Sequence, residues 1–132
     1  MANANGSTFM NGSKMRLNGF VEKGWGSELI WATTDKYCGK LMNFNLGAKF
    51  SMHFHREKEE SWYVLSGKFI VKVIDTRTAD VQEHELNVGD TWHNVPLLPH
   101  QLICLEAGTI IEVSMPDSVE DNYRVGKGDS QK

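Results

Sequence analysis

From Glu28 to Met115 the chain is a succession of short segments rich in aromatic and β-branched residues, none longer than eight, each closed by turn-forming residues. "ELIWAT" (28–33), "GKLMNFNL" (39–46), "KFSMHFH" (49–55), "SWYVL" (61–65) and "KFIVKVI" (68–74) come first, punctuated by Gly47, by the charged run Arg56 to Glu59 and by Ser66-Gly67. "ADVQEHEL" (79–86), "TWHNV" (91–95), "HQLICLE" (100–106) and "TIIEVSM" (109–115) follow, separated by Asn87 to Asp90, Pro96 to Pro99 and Ala107-Gly108. No segment sustains a 3.6-residue apolar period. Many short strands at near-regular spacing predict an all-β sandwich or barrel. With 132 residues, one such domain with a sizeable core is accommodated and two are not.

Alternation assigns faces. Phe69, Val71 and Val73 fall on one side of "KFIVKVI" and Lys68, Ile70, Lys72 and Ile74 on the other, so the first set fills the interior. Ile70 and Ile74 leave the outer face mixed, as a face covered by another sheet or by a second subunit would be. His100, Leu102 and Cys104 group together by the same rule.

Composition excludes several partner classes. The formal net charge is −3 and the basic residues are scattered, unlike the basic footprint of a nucleic-acid binder. No apolar run approaches the length of a membrane span. Residues 1–18, "MANANGSTFMNGSKMRLN", lack the apolar core of a secretory signal and read as a flexible leader. Residues 19–118 are expected to form the domain, and 119–132 a tail. Cys38 and Cys104 form no disulfide framework and no Cys-x-x-Cys pair, so reduced, buried thiols in a cytoplasmic protein are expected.

The stretch "HFHREKEESWYVLSG" (53–67) carries the chemistry. His53 and His55 are two apart in a strand-like segment and project from one face, with backbones roughly 7 Å apart. Metal–imidazole bonds of about 2.0–2.1 Å let two such rings converge on one ion. Glu60 lies an odd five residues beyond His55, so the run Arg56 to Glu59 must reset the register by a turn or bulge. Glu60, Trp62 and Val64 then share the interior face; Glu59 is out of that phase. His100, after the "PLLP" turn, is placed to add a fourth ligand. Taken alone, a His-x-His pair is more often surface or turn chemistry than a ligand pair. His84 and His93 fit no pattern and are assigned to solvent or loop hydrogen bonds. Three imidazoles and a carboxylate suit a divalent transition metal ion and do not choose among Mn, Fe, Co, Ni, Cu and Zn.

These spacings resemble the cupin superfamily. Gly47, five residues, His53-x-His55, four residues, Glu60, six residues, Gly67 is similar to the first cupin motif throughout. The second runs from Gly89-Asp90 to His100 and position 104, with three departures: the proline is one residue late at Pro96, Leu97 holds the glycine position and Cys104 replaces the Asn. The turn before His100 is therefore expected to differ in shape. The resemblance covers roughly residues 25–115 and implies a small jelly-roll β-barrel with a metal inside.

Within that superfamily, "KGWGSE", "FSMHFHREKEESWYVLSG" and "IEVSMPDSVEDNYRV" resemble the C-terminal cupin domain of type II phosphomannose isomerases. Ser51, His55, Glu60, Trp62, Glu112, Val113, Glu120, Asp121 and Arg124 match in order. His53 stands where that family has Gln, and the nucleotidyltransferase domain that often precedes such cupins has no counterpart in these residues. The resemblance implies aldose–ketose isomerisation of a small-molecule substrate such as a phosphorylated sugar, with the metal as Lewis acid and a base moving a proton between C1 and C2. Glu112 is the candidate base, although a glutamate on a last strand is as often an exposed salt-bridge partner. Arg124, Lys127 or Lys23 are candidates for a phosphate, with a solvated tail as the alternative for the two near the C-terminus. Trp25 and Trp62 wall the pocket or pack the core. A dioxygenase, a lyase or epimerase, and a non-catalytic binding module stay open as competing readings. A homodimer is the expected assembly.

Overall fold

The computed structural model describes Lys14, residues 17–116 and residues 118–132; most of the expected leader lies outside the described residues. Eleven strands are present among the described residues: β1 (Phe20–Lys23), β2 (Gly26–Thr33), β3 (Cys38–Phe44), β4 (Met52–Phe54), β5 (Glu60–Val64), β6 (Lys68–Ile74), β7 (Val81–Leu86), β8 (Thr91–Asn94), β9 (His100–Glu106), β10 (Gly108–Ser114) and β11 (Tyr123–Gly126). They form two antiparallel sheets, a six-stranded one in the order β1-β2-β3-β10-β5-β8 and a five-stranded one in the order β11-β4-β9-β6-β7. The architecture is the expected all-β jelly roll. Its two sheets face one another without closing into a single cylinder, so it is an open sandwich rather than a sealed barrel.

Between the sheets lies the apolar phase of each strand. Phe44, Trp62, Val64 and Ile110 of the six-stranded sheet meet Phe69, Val71, Leu86, Leu102 and Cys104 of the five-stranded one. Trp25, in the β1–β2 turn, stacks on Phe44 with ring centroids 4.4 Å apart. Cys38 and Cys104 are both buried and unbridged. No helix among the described residues is long and apolar enough to cross a membrane.

The odd step from His55 to Glu60 has a structural cause. β4 belongs to one sheet and β5 to the other, so the run between them carries the chain across the sandwich and restarts the register. The expected strand over 49–55 is cut back to β4. Lys49 makes only an isolated bridge to Ile103, and its backbone is instead tied to Asp129 in both directions. β7 begins at Val81, because Ala79 adopts φ 66° in the hairpin turn. β1 and β11 are short and weakly alternating, and no segment was anticipated at either. β11, within the stretch set apart as 119–132, pairs with β4, with Arg124 opposite His53.

Leu97 resolves the departure in the second motif. It takes φ 73°, a conformation natural to glycine, and its N–H donates to the His55 carbonyl at 2.7 Å. The turn keeps a glycine-type backbone despite the leucine, at a cost of about 1–2 kcal/mol for an L-residue in this region. Leu97 is exposed, so its side chain returns little by burial. Leu97→Gly is expected to stabilise the fold by up to about 1 kcal/mol, read as a raised urea midpoint at unchanged slope.

Candidate metal centre

Two paired strands, β4 and β9, bring the three imidazoles together. His53 lies within β4 and His55 just past its end, while His100 opens β9 directly opposite His53 in the antiparallel register. Ring centroids are 4.6 Å apart for His53 and His100, 5.0 Å for His53 and His55, and 5.7 Å for His55 and His100. One potential ligand atom from each ring lies within 4.8 Å of the other two.

The tautomer of each ring is set by a carbonyl. His53 Nδ1–H donates to Ser51 O at 2.8 Å, His55 Nδ1–H to Asp121 O at 2.6 Å and His100 Nδ1–H to Leu98 O at 2.9 Å. A carbonyl oxygen only accepts, so a proton sits on each Nδ1, and in the neutral ring Nε2 keeps its lone pair. This arrangement orients ligand histidines and raises their basicity. Glu60, the first residue of β5, places Oε1 2.9 Å from His100 Nε2. The contact falls outside hydrogen-bonding geometry and leaves that buried nitrogen without a hydrogen-bond partner. In the neutral tautomer both atoms are acceptors, and a cation shared between them would satisfy both. The donor set therefore fits a divalent metal: neutral imidazole nitrogens and one carboxylate.

Around Glu60 a buried network extends into the six-stranded sheet. Asn94 Nδ2 donates to Glu60 Oε1 at 3.2 Å and itself accepts from Trp92 Nε1. The Lys58 ammonium, on the crossing segment, lies 3.4 Å from Glu60 Oε2 and 3.5 Å from Glu112 Oε2. Glu112 accepts from Trp62 Nε1 and Ser114 Oγ at 3.1 Å each and faces Lys40 at 3.7 Å. Lys40 in turn pairs with Glu28, which Lys23 approaches from the surface. Glu112 is thus buried in a network rather than exposed as a surface partner.

Burial separates the two carboxyls. For Glu60 it raises the pKa, but in the metal-free protein a charged His100 ring beside it and the Lys58 ammonium outweigh it and hold the group well below the usual range. Glu112 is pushed up to about 8 by burial and by the Glu60 charge, against Lys58 and Lys40. Burial, with His100 beside it, lowers His53 to about 3, and burial lowers His55 against the pull of the Asp121 carbonyl. The metal-free fold should respond accordingly. The raised Glu112 contributes stability that is present below its unfolded value near 4.5 and is lost as pH rises through 8. The lowered histidines contribute stability that is present above 6.5 and is lost as pH falls, through 3 for His53. Urea unfolding in the presence of chelator is expected to show a maximum between about pH 5 and 7 and decline on both sides.

These groups open into a cavity of about 340 Å³. Trp25, Met42, Phe50 and Trp62 give it apolar walls; Lys23, Lys58 and Arg124 bring cations, and Ser118, Asn122 and Ser130 add polar groups from the C-terminal segment. Of the residues singled out from sequence, His53, His55, Glu60, Glu112 and Arg124 all line this cavity, and His100 sits behind it against Glu60. Lys127 is not among the lining residues. Cys104 is in the core, with Sγ donating to Glu106 O at 3.1 Å. His84 lies against Trp92 with centroids 5.1 Å apart, and His93 pairs with Glu59, so both sit outside the cluster. Lys58, Asn94, Lys40 and Glu28 were not anticipated, and Asp121 was marked only by the family resemblance, with no role assigned. Lys40, Glu28 and Glu112 did carry a signal: each is a charge in the inward phase of an apolar strand.

A family model described as "Cupin domain" matches residues 40–116, more than half of the chain. No curated protein matches it. Among solved structures the chain is similar to oxalate decarboxylase from Bacillus subtilis, with 22% identity and a TM-score of 0.66 over 80% of this chain and 29% of that one. It is similar to an RmlC-like cupin from Shewanella frigidimarina, with 21% identity and a TM-score of 0.62 over 86% of this chain and 92% of that one. The capsular polysaccharide assembling protein CapF from Staphylococcus aureus gives 16% identity and a TM-score of 0.71 over 86% of this chain and 33% of that one. These likenesses are of fold. The chain spans about 29% of the oxalate decarboxylase chain.

Proposed function

Because the chain belongs to the cupin domain family, we propose that it is a metal-dependent enzyme that moves a proton on a small sugar or sugar phosphate, in an isomerisation or epimerisation resembling that of mannose 6-phosphate. The observation that carries this reading is Glu112, a buried carboxyl with a pKa near 8 lining the cavity that His53 and His55 also line. His53, His55, Glu60 and His100 would hold one divalent transition metal ion. Bacillus subtilis oxalate decarboxylase, similar in fold, has Mn(II) centres, which supports such a cofactor without selecting it. When bound, the ion supplies Lewis-acid polarisation of the substrate carbonyl and hydroxyl.

The chain's own residues account for the rest. As a carboxylate, Glu112 takes the proton from C2 of the aldose and, once protonated, returns it to C1, while the hydroxyl proton passes from O2 to O1. A group that titrates near neutral pH serves in both directions. Trp62 Nε1 and Ser114 Oγ fix its two oxygens, and Lys58 favours its ionised form. Arg124, with Lys23, supplies cations for a substrate phosphate. Trp25 and Trp62 form apolar walls for a sugar face. A cytoplasmic homodimer belongs to the same proposal: Ile70 and Ile74 are only half-buried, and Phe20, Trp31, Tyr63 and Val113 are exposed on the six-stranded sheet.

A second reading, a lyase or dioxygenase acting on a small carboxylic acid, is favoured by the cations beside apolar walls and by the fold likeness to oxalate decarboxylase. The deciding assay incubates metal-loaded protein with aldoses and their 6-phosphates in D2O, followed by NMR. Ketose or epimer carrying solvent deuterium at C1 or C2 is expected. Oxygen uptake or carbon dioxide release from small acids, without sugar turnover, selects the second reading. Binding of sugars without any turnover points to a recognition module.

A further inference from the structure

One residue outside the ligand set contacts the site through both its main chain and its side chain. The Asp121 carbonyl accepts the His55 Nδ1–H at 2.6 Å. Its carboxylate accepts three successive backbone N–H groups of the crossing segment: Arg56 to Oδ1 at 2.7 Å, Glu57 to Oδ2 at 3.2 Å and Lys58 to Oδ2 at 3.0 Å. The segment it holds joins β4 to β5 and carries, in five residues, His55, Lys58 and the entry to Glu60. Asp121 is distant in sequence, in the short 3-10 turn Val119–Asp121 that precedes β11.

Three adjacent amides converging on one carboxylate form a concave anion-binding turn. Here the anion comes from the protein itself. Without it the amides turn to water and the crossing segment gains freedom where two ligands and their buried cation need fixed positions. The carbonyl contact matters independently, because a ligand histidine depends on its outer partner for tautomer and ring orientation.

We propose that Asp121 is a positioning residue for the metal centre: its carbonyl orients His55 and its carboxylate fixes the turn carrying Lys58 to Glu60, which couples metal affinity to the seating of residues 118–122. This rests on reading His55 as a metal ligand. The coupling is reciprocal, so metal binding tightens the Asp121 clamp by as much as the clamp tightens metal binding.

The test measures Co(II) affinity by competition with a chromophoric chelator, the Co(II) absorption spectrum, and amide exchange at Arg56, Glu57 and Lys58. It uses full-length wild type, Asp121→Ala, Asp121→Asn and Asp129→Ala. Asp129 provides the control, because it ties the same C-terminal segment to Lys49 without contacting His55 or the crossing segment. Asp121→Ala is expected to weaken Co(II) binding by about 10–100-fold with an altered spectrum, and Asp129→Ala by less than about threefold. Asp121→Asn, whose side-chain oxygen still accepts, is expected to recover part of the loss, and it keeps the test open if the alanine variant fails to fold. In wild type, Co(II) is expected to slow exchange of the three amides. The proposal is overturned if Asp121→Ala binds within about threefold of wild type, or if Asp129→Ala loses as much as Asp121→Ala. Wild type that binds no Co(II) would instead remove the metal reading beneath it.

Discussion

Replacing Lys58 by methionine is expected to destabilise the metal-free protein by about 3–5 kcal/mol, the range for removing one partner of a buried ion pair. The Lys58 ammonium is buried between Glu60 and Glu112. Taking it away leaves the Glu60 charge facing a second carboxyl in a poorly hydrated site. Glu112 softens the loss by holding its proton at neutral pH, which puts the expected value toward the lower end. Two further outcomes separate charge from packing. Lys58→Met with Glu60→Gln should lose less than Lys58→Met alone, because the uncompensated charge has gone. Saturating metal should also recover part of the deficit, since a cation again sits beside Glu60. Urea unfolding of the variants with and without metal gives all three numbers; a loss below about 1 kcal/mol for Lys58→Met would contradict a buried charge network.

Glu112→Gln is the second large effect expected. The amide cannot cycle between base and acid, so turnover should fall by about 10²–10⁴-fold, the usual contribution of a positioned general base. Metal content should stay at the wild-type level, because Glu112 is outside the ligand set. A variant retaining near-wild-type turnover with full metal would remove Glu112 from the reaction. A variant that loses metal would make it part of the metal centre instead.

Much of this site is written in strand phase. Phe69, Val71 and Val73, then Leu102 and Cys104, alternate inward as a half-buried strand requires, and Glu60 falls in phase with Trp62 and Val64. The same two-residue period puts His53 and His55 on one face. Glu28, Lys40 and Glu112 were legible by the same rule. Lys40 precedes Met42 and Phe44 at steps of two, and Glu112 follows Ile110, so each charge lies in a buried phase where only a partner of opposite sign makes it tolerable. Lys58 was not legible, because it sits in a charged turn where a lysine normally faces water. Asp121 and its neighbours were marked by the family resemblance alone, and what they do was hidden for a different reason. Their roles rest on contacts to Arg56, Glu57 and Lys58, more than sixty residues away, and no local periodicity encodes such a contact. The turn before His100 misled in the opposite direction: Leu97 breaks the expected composition, yet its backbone takes the glycine conformation.

The central claim is that three histidines with fixed tautomers, together with Glu60, form a metal centre. Elemental analysis tests it most directly, on wild type, His55→Ala, Glu60→Ala and His84→Ala purified without chelator and again after reconstitution with Mn, Fe, Co, Ni, Cu or Zn. Wild type and His84→Ala are expected to carry close to one ion per chain, and His55→Ala and Glu60→Ala to lose it while keeping the β-sheet circular dichroism of the wild type. No metal in reconstituted wild type, or equal metal in all four proteins, would contradict the assignment.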